Sequence, residues 1–129
     1  MKIREQELLE KTFPIVFYDK SGKVTSRGEV LLRELPSSEI ASARERCITR
    51  GRGEEKFDQS KFGRLLGTKM IVDAPFETED DIKWKDMSEK QKLEFLTNIS
   101  SIYDQQLGKM IEAMNIHVSE DDQNLSGPQ

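Results

Sequence analysis

Apolar positions change their spacing along the chain, and that change predicts a hairpin followed by helices. Thr12 to Tyr18 is apolar and aromatic with Pro14 near its start, and Asp19, Lys20, Ser21, Gly22 and Lys23 come next as turn residues. Glu29 to Glu34, with Val30, Leu31 and Leu32 adjacent, reads as the returning strand. Residues 12–35 are therefore expected to form a β-hairpin in which Pro14, lacking an N–H, suits an edge. A hairpin by itself is marginal in water, so its apolar face must lie on the helices of the later chain.

From Pro36 onward the chain carries helical spacing. Pro36-Ser37-Ser38-Glu39 offers serines to cap free amides and a first-turn glutamate for the positive end of the dipole, and predicts a helix over 37–49. Its inward stripe is Ile40, Ala43 and Cys47, with Ile48 beside them. Gly51 and Gly53 break it, and Arg50 to Lys56 reads as a charged loop. Asp58 or Ser60 caps a second helix, 58–74, carrying Phe62, Leu65, Leu66, Lys69, Met70 and Ile71, until Pro75 ends it. Phe76 to Asp86 has no helical period and reads as an ordered connection anchored by Trp84. Ser88 and Gln91 sit three apart ahead of an apolar run, the capping-box pattern. Beyond them Leu93, Leu96, Ile99, Tyr103, Leu107, Met110, Ile111 and Met114 recur at helical spacing. They predict a helical region over 89–115, either one helix or two joined near Asn98 to Ser101, with Gly108 a weak point.

The expected organisation is an N-terminal segment, 1–11, a single domain, 12–116, and a flexible acidic tail, 117–129, whose few apolar groups do not offset the entropy of ordering. The predicted fold class is mainly α with a short N-terminal β-hairpin, an α+β chain built as one small helical domain.

Composition narrows the function classes. With 129 residues, 35% of them hydrophobic and 34% charged, the chain supports one modest core under a large solvated surface. It holds no run of about 18 apolar residues to cross a bilayer, and Met1 to Glu10 carries acids where a leader needs an apolar stretch. Cys47 is the only cysteine, so no intrachain disulfide forms; the expected setting is a reducing cytoplasm, with no membrane partner. The net charge of −4 disfavours nucleic acid and acidic lipid as chief partners. Beneath that total, Arg44 to Lys69 holds eight bases and four acids, and Asp73 to Glu94 holds eight acids and four lysines. Opposed charge of this kind allows self-association head to tail, although ordinary solvated faces explain it as well.

No chemistry-bearing constellation emerges. The only histidine, His117, lies at the edge of the tail, and Cys47 lies on an inward stripe, where a buried thiol is inert. One cysteine and one histidine are too few for a tight zinc site, so no metal is expected, and no cofactor. Glu77, Glu79, Asp80 and Asp81 lack the ligand order and central glycine of a calcium loop. Gly51-Arg52-Gly53 and Gly67-Thr68-Lys69 lack the order of a phosphate-cradling loop. Gly63 and Gly67 form a G-x-x-x-G interval that reads as close packing of two helices. The basic segment is the best argument for a nucleic-acid module, against which stand its four acids and only Phe57 and Phe62 for stacking. The partner-binding candidates are Phe76, Trp84, Met110 and Met114, joined by Met87, which could line an adaptable groove; their alternative is an ordinary core. A non-enzymatic protein that grips another polypeptide is the expectation.

The order of these features resembles the tail assembly chaperones of tailed bacteriophages and prophages, among which the XkdN-like group of contractile-tail prophages is one candidate. The resemblance spans Thr12 to about Ile116. It rests on the hairpin leading into Val30-Leu31-Leu32-Arg33-Glu34-Leu35, on Pro36-Ser37-Ser38-Glu39 opening a basic helix, and on a second helix ending in Met70-Ile71-Val72-Asp73-Ala74-Pro75. An acidic connection with Trp84 comes next, then Met87-Ser88-Glu89-Lys90 and a last helical region ending in Ile111-Glu112-Ala113-Met114-Asn115. Members of that family coat the hydrophobic tape measure protein, help recruit tail tube protein, and leave before the virion is finished. The resemblance thus implies a chaperone of the bacterial host cytoplasm whose partners are the tape measure protein and the tail tube protein. It carries over no site residue. Two other readings remain open: a structural subunit retained in the assembly, and a nucleic-acid-binding regulator acting through residues 44–69.

Overall fold

A computed structural model of the protein describes the backbone of residues 1–3 and 7–125, with side chains up to Met114. The hairpin forms as the sequence indicates. Strand β1 (Glu10–Tyr18) pairs antiparallel with β2 (Val24–Arg33), Ile15 opposite Gly28 and Phe13 opposite Val30. The turn is set by Asp19, whose carboxylate accepts from the Ser21 hydroxyl at 2.6 Å, the Ser21 amide at 2.8 Å and the Lys23 amide at 3.0 Å. Gly22 takes φ +88° there, which an L side chain resists.

The third strand corrects the sequence reading. The helix expected over 58–74 is shorter: α2 (Gln59–Met70) passes directly into β5 (Ile71–Asp73), which adds to the free side of β2 in the order β1-β2-β5. β1 is consequently an edge strand, the position Pro14 requires. Ile15, Val30 and Leu32 face the core, while Thr12, Pro14, Glu29 and Arg33 alternate onto the exposed face.

A second correction concerns the helix expected over 37–49 and the loop after it. Helix α1 (Ser37–Glu45) begins after Pro36 with no side-chain cap, so the serine caps do not form. The chain then turns at Arg46 and Cys47 into β3 (Ile48–Gly51), which pairs with β4 (Glu54–Phe57). Arg52 and Gly53 between them have φ of 49° and 82°, the positive pair that a two-residue hairpin turn of right-handed twist needs. One pair back from the turn, Arg50 lies 2.6 Å from the Glu45 carboxylate and 3.0 Å from that of Glu55. The hydrogen bond and charge of Arg50 hold the Glu45 carboxyl below its ordinary value. Asp58, one of the two expected caps, accepts from the Lys61 amide at 3.0 Å and starts α2.

Trp84 anchors the connection as expected. It opens a short 3₁₀ turn (Trp84–Asp86), is wholly buried, and donates its indole N–H to the Ile71 carbonyl at 3.0 Å. The Ser88–Gln91 capping box is present in both directions and opens α3 (Glu89–Asn98). The chain breaks at Ile99 and Ser100, so residues 89–115 form two helices, the second being α4 (Ser101–Leu125). The backbone of 117–125 belongs to α4, whereas the side chains expected to make a flexible tail, and residues 126–129, lie outside the described ones.

The fold class is therefore not mainly α with one short hairpin: it is α+β, with five strands in two antiparallel sheets and four α-helices among the described residues. Helices pack on one face of the three-stranded sheet, joining Ile15, Val30 and Leu32 to Leu65, Leu66, Met70, Leu96, Leu107 and Met110 in one cluster. No helix among the described residues is long and apolar enough to cross a membrane.

Candidate docking groove

Helix α2 starts at its Asp58 cap and places Phe62, Gly63, Leu66 and Gly67 on the side that looks toward α4. Spacing by three and four puts these residues on one stripe of the helix. Facing them on α4 are Leu107, Gly108 and Ile111. The two stripes meet at one end and part at the other. At Gly67 a methyl group would stand 3.0 Å from Leu96 Cδ1 and 3.5 Å from Ile111 Cδ1, whereas one on Gly63 or Gly108 would meet no atom within 4 Å. The G-x-x-x-G interval thus gives close packing at its second glycine only, and the first borders open space. Between the helices lies a groove of about 490 Å³, within the range of pockets that take small ligands or peptide side chains.

Its lining is apolar beneath and charged above. Leu66, Leu96, Leu107 and Ile111, each at most 9% exposed, form the floor, and Arg64, Asp104, Lys109 and Glu112 bring both signs of charge to the rim. Phe62 closes one side. Its ring packs 5.3 Å from that of Phe57, and the Arg44 guanidinium sits over both rings, at 5.3 Å and 5.7 Å. Phe57, 44% exposed on β4, extends the apolar surface past Phe62. An apolar floor between two helices, with a polar rim, suits the apolar stripe of an amphipathic helix.

The expected partner-binding residues are elsewhere. Phe76, Trp84, Met110 and Met114 are 6%, 0%, 5% and 5% exposed, and Met87 is also buried. Phe76, Trp84 and Phe95 form an aromatic group with centroids 5.2 to 6.2 Å apart, Phe76 and Phe95 each meeting the indole edge-on. These side chains build the interior, the alternative that their composition allowed, and in this fold the chain's own elements cover them. The groove residues went unnoticed because Leu66, Leu107 and Ile111 have the spacing of any core stripe. The available signal was Gly63 and Gly108, residues that lower helix stability and so call for a packing or docking reason.

The remaining motifs resolve into structure. Cys47 is 2% exposed in the core. The acidic run from Glu77 is a tight turn: the backbones of Glu77 and Lys83 pair antiparallel, the Asp81 amide donates to the Thr78 carbonyl at 3.0 Å, and the Ile82 amide to the Thr78 hydroxyl at 3.1 Å. Among the described residues no group of three or more His, Cys, Asp or Glu side chains is gathered as a metal site would need. The His117 side chain lies outside the described residues. The basic and acidic segments touch through the exposed pair Arg46–Glu89, 3.2 Å apart, which contributes little to stability.

The fold is that of a small α+β protein with a groove between two helices. No protein-family model, no curated protein and no solved structure matches the chain.

Proposed function

We propose that this chain is a tail assembly chaperone of a phage or prophage, a non-enzymatic protein of the bacterial cytoplasm that shields the helical tape measure protein before assembly. The observation that carries the reading is the groove between α2 and α4, lined by Leu66, Leu96, Leu107 and Ile111 and widened where Gly63 and Gly108 have no side chains. A long client with apolar helical stripes aggregates unless those stripes are covered, and several copies of a small protein, each offering one groove, cover them in series. The order of sequence features from Thr12 to Ile116 supports the same assignment, except that the second helix ends at Met70 and gives way to a strand. The mixed charge of the rim then fixes the orientation of the bound helix more than it adds affinity.

The test is co-expression with the long, helix-rich reading frame beside the gene, followed by pull-down. The client should become soluble and co-purify with the wild type. Gly63→Leu and Gly108→Leu place side chains in the open part of the groove and should abolish co-purification while the circular dichroism spectrum is kept. A client that stays insoluble with the wild type refutes the reading. Finished particles should lack the protein; its presence there would favour a structural subunit.

A further inference from the structure

The free edge of β1 is closed by side chains of α4 where a neighbouring strand would otherwise sit. In the β1–β2 ladder, Val16 and Tyr18 turn their backbone groups away from β2 toward the edge. The Val16 amide donates to Gln106 Oε1 at 2.8 Å, and the Val16 carbonyl accepts from Gln106 Nε2 at 2.9 Å. A carboxamide holding both groups of one residue reproduces the donor and acceptor that a peptide of an adjacent antiparallel strand would present. One turn of α4 earlier, the Tyr103 hydroxyl accepts from the Tyr18 amide at 3.1 Å and lies 3.4 Å from the Tyr18 carbonyl, its ring packed on Phe17 at 5.9 Å. Pro14 removes a further donor from the same edge. An unguarded edge of this kind is a template for a second chain.

We infer that Tyr103 and Gln106 guard β1 against a second copy of this chain, and that without them two copies pair antiparallel through their β1 edges. The choice of occupant comes from the edge itself. Centred on Ile15, an antiparallel pair sets Val16 against Pro14 and Tyr18 against Thr12, so the Val16 amide and both backbone groups of Thr12 and Tyr18 find partners, while the Val16 carbonyl, opposite Pro14, does not. Edge closure depends on two half-buried side chains, so it opens without unseating Leu107 or Met110, which hold α4 in the core. The guard is independent of the groove and of any client.

The test uses the full chain in about 0.5 M salt, where attraction between charged faces is screened. In the wild type, amide exchange should show protection at Val16 and Tyr18, and sedimentation equilibrium should give a monomer. Gln106→Ala with Tyr103→Phe should lower the protection of both amides in dilute solution by roughly tenfold, and should give a dimer as concentration rises. Adding Val16→Pro, which removes an outward N–H and no bond to β2, should restore the monomer. A double variant that folds and stays monomeric, or a dimer that survives Val16→Pro, overturns the inference. So does unprotected exchange at Val16 and Tyr18 in the wild type, a result that needs no variant to fold.

Discussion

Three glycines at one groove make a prediction whose sign differs from site to site. Gly63 and Gly67 are in α2 and Gly108 is in α4, so alanine at each gains helix propensity of about 1 kcal/mol. At Gly63 and Gly108 the added methyl meets no atom within 4 Å, and nothing offsets the gain. Each variant should be more stable by about 1 kcal/mol, which for a domain of this size is a rise in Tm of roughly 4 °C. The two methyls have no common neighbour, so the double variant should gain about 2 kcal/mol. At Gly67 the methyl stands 3.0 Å from Leu96 Cδ1, and Leu96 is 3% exposed, packed where it has little room to retreat. Overpacking of this kind costs about 1–3 kcal/mol, so Gly67→Ala should be neutral to about 2 kcal/mol less stable. Urea unfolding monitored through Trp84, the only tryptophan, reads all four variants in one signal, with unchanged m values checking that the unfolded state is the same. Equal stabilisation by Gly67→Ala and Gly63→Ala would refute this, because the approach of α2 to α3 would then not depend on a missing side chain. Destabilisation by Gly63→Ala would equally show that the groove is closed there.

Two single contacts give further expected outcomes. Trp84→Phe removes the donor to the Ile71 carbonyl at 3.0 Å and leaves a void in the core, and should cost about 3 kcal/mol by guanidine unfolding monitored by circular dichroism; a loss under about 1 kcal/mol would mean that another donor reaches that carbonyl. The Ser21 hydroxyl, and then the Lys23 amide, hold the Asp19 carboxyl below its ordinary 3.8, so its contribution to stability is present above that value and is lost as pH falls through the lower, folded value. Asp19→Asn should therefore weaken the loss of stability between neutral pH and about pH 3, and equal acid sensitivity in wild type and variant would refute the assignment.

Features resting on neighbours a few residues apart were legible in the sequence. The Asp19 turn, the Asp58 cap, the Ser88–Gln91 capping box and the break near Asn98 each depend on chemistry within one turn of chain. Burial of Ala43 and Leu65 came from periodicity in the same way, whereas Cys47 is buried in the turn after α1 and not on its helical stripe.

Contacts between distant segments decided the rest. Met70-Ile71-Val72 continues an apolar helical pattern, and what makes Ile71–Asp73 a strand is the free side of β2, about forty residues earlier in the chain. The second hairpin was hidden for the opposite reason. All of β4 and most of β3 is exposed, so no alternation of apolar residues marks them, and only the positive φ of Arg52 and Gly53 reveals the turn. Nor does helical spacing distinguish Leu107 and Ile111 beneath a groove from Met110 and Met114 inside the core, because each stripe is apolar and only the placement of α2 separates them. The bond of Gln106 to Val16 spans 90 residues of chain and exists only because the fold lays α4 along the edge of β1.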